Sequence, residues 1–258
     1  MTLYAHFRPE EKPLVERILE WTELVSDRKT SKLTPFLDPR EQFIVRSIVG
    51  RTYDVKVSFF GGYMGAERQR AMLTPEYVEV SPEDFQVTLL SIQPKQKSIT
   101  LTHRDVLGSL LGLGIKREKF GDILLTDSAQ QCLVSQDISS FVLLNLQQIH
   151  RYAIQCESIP LHDIVPAIGE WKYKETTVSS LRLDVVLSEL LSLSRAKVAP
   201  LIKGGRVKVN WKVTEHSSLQ LEAGDIVSVK GFGRFLFSAI EGITKKQKFR
   251  VVLGEKKA

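Results

Sequence analysis

Leu181-Arg182-Leu183-Asp184-Val185-Val186-Leu187-Ser188-Glu189-Leu190-Leu191 opens the stretch that decides how this chain is read. Ser192-Leu193-Ser194-Arg195-Ala196-Lys197-Val198-Ala199-Pro200-Leu201-Ile202-Lys203-Gly204-Gly205-Arg206-Val207-Lys208-Val209-Asn210 completes it. Leu183, Val186, Leu187, Leu190 and Leu191 recur at i, i+3, i+4, i+7 and i+8, the stripe of a helix with one buried face. Ser194 suits the N-cap of a second helix, whose inner face is expected to be Val198, Leu201 and Ile202. Pro200 removes one backbone hydrogen bond from that helix, and Gly204-Gly205 ends it in the left-handed manner. Val207 and Val209 then alternate with Arg206, Lys208 and Asn210, a strand with one apolar and one basic face.

This order of elements resembles the S4-type RNA-binding domain, named after a small-subunit ribosomal protein. The matching residues are Arg182-Leu183-Asp184, Ser194-Arg195, Leu201-Ile202, Gly205, Val207-Lys208-Val209-Asn210 and, further on, Gly224-Asp225. The resemblance covers about 181–235. It implies two helices and a curled sheet that dock structured RNA with the helical face. Carried over by position, the RNA-facing residues are Arg182, Ser194, Arg195, Lys197, Lys203, Arg206, Lys208 and Asn210. Trp211 stands where the family usually has glycine. It either stacks on an exposed base or covers the sheet edge as a half-buried indole. The chemistry agrees with the resemblance: arginine offers a planar fork to phosphate, lysine a mobile charge, and a helix start at Ser194 free amides.

Charge points the same way. The chain has 258 residues, 36 Lys+Arg against 30 Asp+Glu, and a net charge of +6. From 181 to 258 it carries 15 basic and 7 acidic residues, a net of +8, whereas the first 180 carry 21 and 23, a net of −2. A basic module on a near-neutral body is expected to take a polyanion. Lys245-Lys246-Gln247-Lys248 and Lys256-Lys257 read as a basic tail. At 43% hydrophobic and 26% charged, the composition is that of a globular protein. Cys132 and Cys156 make no disulfide framework and the five histidines show no metal-ligand spacing, so neither metal nor cofactor is expected. The start of the chain lacks a signal-peptide core and no apolar run reaches 18 residues, so a cytoplasmic protein without membrane insertion is expected.

Four segments can be drawn: an N-terminal α/β domain over 1–75, a ferredoxin-like (RRM-like) middle domain over 76–158, a linker over 159–180 and the S4-type domain over 181–258. The fold class is therefore α+β. In the first segment helices are expected over 11–27 and after the cap Asp38-Pro39-x-Glu41, then a strand over 54–60 and a short helix over 64–73. In the second, strands are expected at 85–92, 98–101, 122–126, 131–135 and 151–157, with helices at 103–113 and 138–149. With the first strand set aside this is β-α-β-β-α-β, shared by RNA-recognition domains and many enzymes. The aromatic signature of an RNA-recognition sheet is not evident.

Two further motifs widen the resemblance. Gly61-Gly62-Tyr63-x-Gly65-Ala66-Glu67-Arg68-x-Arg70-Ala71 and His103-Arg104-Asp105-Val106-Leu107-Gly108-Ser109-Leu110-Leu111-Gly112-Leu113-Gly114-Ile115 with Gly121-Asp122-Ile123 resemble the bacterial YlmH family. That resemblance implies a non-enzymatic protein linked to the cell-division gene cluster. Related small S4-type proteins act on the large ribosomal subunit with peptidyl-tRNA. A second set of RNA contacts is expected at Arg68 and Arg70, beside the glycine turn, and at Lys116, Arg117 and Lys119 in a basic loop.

The function expected is binding of structured RNA, rRNA or tRNA on the ribosome, in translation quality control or cell division. A division-machinery scaffold whose RNA binding is secondary is the alternative, with division proteins as partners. A pseudouridine synthase is a third reading, but there the module usually precedes a larger catalytic domain. His103-Arg104-Asp105 lacks the other kinase motifs, and Gly112-x-Gly114 follows a helix instead of opening one, so neither marks an enzyme. Lys29-Thr30-Ser31-Lys32 is similar to one tyrosyl-tRNA synthetase signature but lacks its His-x-Gly-His partner.

Overall fold

The computed structural model describes residues 7–50, 54–96, 99–166 and 171–256. It divides into two compact units, Met1–Ala167 and Ile168–Ala258. Both combine helices with antiparallel sheets, an α+β architecture.

The first unit opens with α1 (Lys12–Arg28), which buries Val15, Ile18, Thr22 and Val25. Strand β1 (Lys32–Leu37) and helix α2 (Pro39–Val49) follow. The capping box of α2 forms: Glu41 N–H donates to the Asp38 carboxylate at 2.9 Å and Asp38 N–H to the Glu41 carboxylate at 2.7 Å. Strand β2 (Val55–Phe60) stops at Gly61-Gly62. The helix expected over 64–73 is overturned, since β3 (Gln69–Pro75) is the middle strand of a β1-β3-β2 sheet. Every residue from Arg70 to Pro75 is buried, so β3 shows no alternation, which is why its periodicity misleads.

Strand β4 (Val87–Pro94), α3 (His103–Gly112), β5 (Phe120–Leu125), β6 (Gln130–Ser135), α4 (Gln136–Asn145), β7 (Gln148–Ile149) and β8 (Tyr152–Ile159) build the rest of this unit. The sheet order β5-β6-β4-β8-β7, antiparallel throughout, is ferredoxin-like. Two expectations are corrected. No strand forms over 99–101, with residue 98 outside the described residues, and β4 takes the first place in β-α-β-β-α-β. Helix α4 ends at Asn145 instead of Ile149, because Gln148 and Ile149 pair with Ala153 and Tyr152.

In the second unit the linker expected over 159–180 gives way to a strand, β9 (Trp171–Val178). Only Val178 of its side chains is buried, so apolar content does not announce it. Then come α5 (Leu183–Leu191), α6 (Arg195–Lys203), β10 (Val207–Val209), β11 (Lys212–Val213), β12 (Ile226–Val229), β13 (Gly233–Ile243) and β14 (Phe249–Lys256). The sheet runs β11-β10-β12-β13-β14-β9. The basic tail is likewise corrected, because 233–256 forms a long hairpin with Lys245, Lys246 and Lys248 at its turn. Leu183, Val186, Leu187, Val198 and Ile202 pack from the helices onto Val207, Val227, Phe235, Phe237, Val251 and Leu253 of the sheet. Helix α6 continues through Pro200 to Lys203.

Candidate nucleic-acid interface

Asp184 sits in the first turn of α5 with its side chain 7% exposed. Its carboxylate accepts from Arg182 at 3.1 Å (Nε) and 3.2 Å (Nη2), and also from Arg195 Nη2. Burial raises the Asp184 pKa, but the hydrogen bonds and charges of Arg182 and Arg195 prevail and hold it below the ordinary carboxylate range. One anchored carboxylate thus brings two arginines, from the starts of both helices, to one place. Lys197 and Lys203 are exposed on α6. The first amides of α5, Leu183 and Asp184, already donate to Leu219 and Ser217 carbonyls, so α6 offers the open helix start. Ser194 is its N-cap residue, exposed, and its hydroxyl makes no capping bond.

Other residues expected on the helical face lie elsewhere. Val207 and Val209 turn inward, so Lys208 between them turns away from the helices. Arg206 is exposed and donates to the Lys230 carbonyl at 3.0 Å. Asn210 serves the fold: its amide donates to Asp225 at 2.7 Å, and its carbonyl oxygen accepts from Ile226 N–H at 2.9 Å. The spaced Asn and Gly-Asp of the motif are therefore a lock between β10 and β12. Trp211 follows Asn210 in a two-residue turn with φ of 63° and 48° respectively, the region glycine favours. Its ring is half-buried beneath Arg234, whose guanidinium lies 5.4 Å from the ring centroid.

Four of the five secondary candidates in the first unit are held by the fold. Arg70 is buried and donates to Thr34, Phe85 and Gln86 carbonyls, which overturns its reading as an RNA contact. Arg68 donates to Phe120 and Phe36 carbonyls. Arg117 donates to the Phe120 carbonyl at 2.7 Å, and burial lowers its pKa to about 10. Lys119 pairs with Asp137, whereas Lys116 is exposed. The residue missed here is Asp122, which accepts from Tyr63 O–H, Glu67 N–H and Arg68 N–H. The two glycine-bearing motifs therefore meet at one carboxylate. A Cβ on Gly62 (φ +103°) would lie 2.4 Å from Leu133, and one on Gly121 would lie 2.8 Å from Phe36. Burial pushes the Cys132 thiol up to about 12 and Cys156 to about 11, which leaves neither a reactive thiolate. Among the described residues no His, Cys, Asp and Glu group is placed to hold a metal, and no helix is long and apolar enough to cross a membrane.

Comparison with known proteins adds to this geometry. Three family models match in succession: "YlmH, N-terminal" over residues 10–78, "Putative RNA-binding domain in YlmH" over 81–163 and "S4 domain" over 181–227. The chain is 43% identical over 256 residues to ribosome-associated protein quality control protein P2 of Bacillus subtilis (strain 168), covering 99% of each. An uncharacterized RNA pseudouridine synthase of Mycoplasma genitalium is 47% identical over 49 residues, 19% of this chain and 16% of that one. The solved structure of cell division protein ylmH from Streptococcus pneumoniae superposes with a TM-score of 0.55 and 27% identity, over 64% of this chain and 99% of that one. A likeness of 43% along nearly the whole of both chains, with family models matched in the same order, places this chain in the YlmH family.

Proposed function

We propose that this protein is a non-enzymatic RNA-binding factor that docks structured RNA, rRNA or tRNA on the large ribosomal subunit, and serves translation quality control. The observation that carries the reading is the pair of arginines, Arg182 and Arg195, held by the buried Asp184 beside the open start of α6. Fixed guanidinium forks suit phosphates held in the set geometry of folded RNA. The full-length likeness to a protein named for ribosome-associated quality control supports the setting. The likeness to the pseudouridine synthase covers 16% of that chain, a share that carries no catalytic domain across.

The test is binding of the full-length protein to bulk tRNA and to purified large subunits across a salt series. Arg182→Ala with Arg195→Ala is expected to weaken binding about tenfold or more and to flatten the log–log salt slope by roughly 0.7–0.9 for each phosphate left without its arginine. Salt-independent binding, or an unchanged slope in the double variant, overturns the reading. The pneumococcal relative, named as a cell division protein, favours a second reading, a division scaffold. That reading expects co-purification with division proteins that survives nuclease treatment.

A further inference from the structure

The outer face of the second unit's sheet, turned away from α5 and α6, has no part in the reading above. Register sets its residues in rows: Lys208 pairs with Ser228, Ser228 with Arg234, Arg234 with Lys256, and Lys256 with Trp171. The residues alternating with them, among them Val207, Val227, Phe235 and Leu253, are buried against the helices, so this row points outward. At an interstrand spacing of about 4.8 Å the row spans about 19 Å. The next outward row is Ile226, Leu236, Gly254 and Tyr173. Gly254 lets the Trp171 indole lie close on the sheet, since a Cβ there would meet Trp171 Cβ and Cε3 at 3.2 Å. Tyr173 beside it is 56% exposed. Arg250 faces outward further along β14, and Glu175 on β9 adds an acidic residue to the face.

We propose that this sheet face binds a single-stranded RNA segment, with Trp171 and Tyr173 stacking on bases and Lys208, Arg234 and Lys256 holding the backbone. Charge selects the occupant: four basic residues against Glu175 favour a polyanion. The aromatic edge and the apolar strip of Ile226 and Leu236 select its form, because a duplex hides its base faces and a single strand presents them. The face is separate from the arginine pair, so the module would hold a structured RNA on one side and an unpaired strand on the other.

The experiment uses the full-length protein, bulk tRNA as the structured probe, and a labelled oligouridylate about 12 nucleotides long, within the range of known single-strand sites. Trp171→Ala is expected to weaken oligouridylate binding about tenfold. Lys208→Glu with Lys256→Glu, which leaves Arg234 on Trp211, should weaken it at least as much while changing tRNA binding far less. Arg182→Ala with Arg195→Ala should do the reverse. Because Trp171→Ala could loosen the edge strand, Tyr173→Ala and Trp171→Phe provide a second readout. Oligouridylate should quench the wild-type tryptophan fluorescence, and the quenching should fall sharply in Trp171→Phe, which keeps Trp21 and Trp211 as the emitters. Absence of oligouridylate binding, or equal binding by the wild type and the lysine pair, overturns the proposal. Unchanged tRNA binding by the arginine pair counts against the helical-face reading alone.

Discussion

At the scale of single residues, Asp184 decides more than its two arginines do. It is almost enclosed, and both guanidinium groups converge on it. Removing its charge has opposed effects: one negative charge fewer near the RNA, but two long side chains released. Fixed forks are what distinguish this face from a merely basic surface, so the second effect should win. Asp184→Asn is expected to weaken tRNA binding several-fold and to lower stability by about 1–2 kcal/mol, the scale of a hydrogen bond to a charged group reduced for the exposure of both arginines to solvent. Anisotropy and urea unfolding would measure the two, and tighter binding would show that charge alone governs the face. The acid limb follows from the sign of the shift. A carboxylate whose folded pKa is depressed contributes stability above its unfolded value of about 3.9 and loses it as pH falls through the folded value. The Asp184→Asn variant should therefore lose less stability below about pH 4 than the wild type does. Asp184 was visible in the Arg-Leu-Asp motif, but its task was not, since spacing along the chain does not show that Arg195 reaches back to it.

Between elements, two carboxylates close loops onto strands. Asp225 fastens Asn210 between β10 and β12, and Asp122 fastens the Gly61–Arg68 loop to β5. Asp122→Ala strips the acceptor from two backbone amides and the Tyr63 hydroxyl, and should cost about 2–4 kcal/mol in urea unfolding. Asp122→Asn, which keeps one carbonyl oxygen, should cost less. An Ala variant as stable as the wild type would mean that water replaces all three bonds. These contacts explain what was legible at this scale. Amphipathic helices and capped starts announce themselves, as α1, α2, α5 and α6 do, because their signals are local. Strand β3 did not, because burial on both faces erases alternation. Arg68 and Arg70 looked like ligands for RNA, because a sequence does not distinguish an arginine facing solvent from one saturated by buried carbonyls.

For the whole molecule, the position of the second unit's boundary carries a prediction. The sequence places the basic module at 181–258, whereas the second compact unit begins at Ile168 and takes in β9. The charge is indifferent to the choice, because 168–258 holds 17 Lys+Arg and 9 Asp+Glu, again a net of +8. Hydrogen bonding is not indifferent. Strand β9 pairs with β14 from Phe249↔Val178 to Lys256↔Trp171 and is the sheet's edge, guarded by the charges of Lys172, Lys174 and Glu175; its removal would make the more apolar Val251-Val252-Leu253 of β14 the edge instead. The cluster that forms this unit's core lies within Val178–Leu253, so a 168–258 fragment should unfold cooperatively and retain most of the affinity for tRNA. A 181–258 fragment should lose Val178 and the edge pairing, melt lower and self-associate. Thermal melts with sedimentation of both fragments would decide. Equal melting and a monomeric 181–258 would make β9 an ornament. Lower melting of 181–258 alone would identify β9 as a strand whose worth lies in backbone pairing, the contribution least visible in a run such as Trp171-Lys172-Tyr173-Lys174-Glu175.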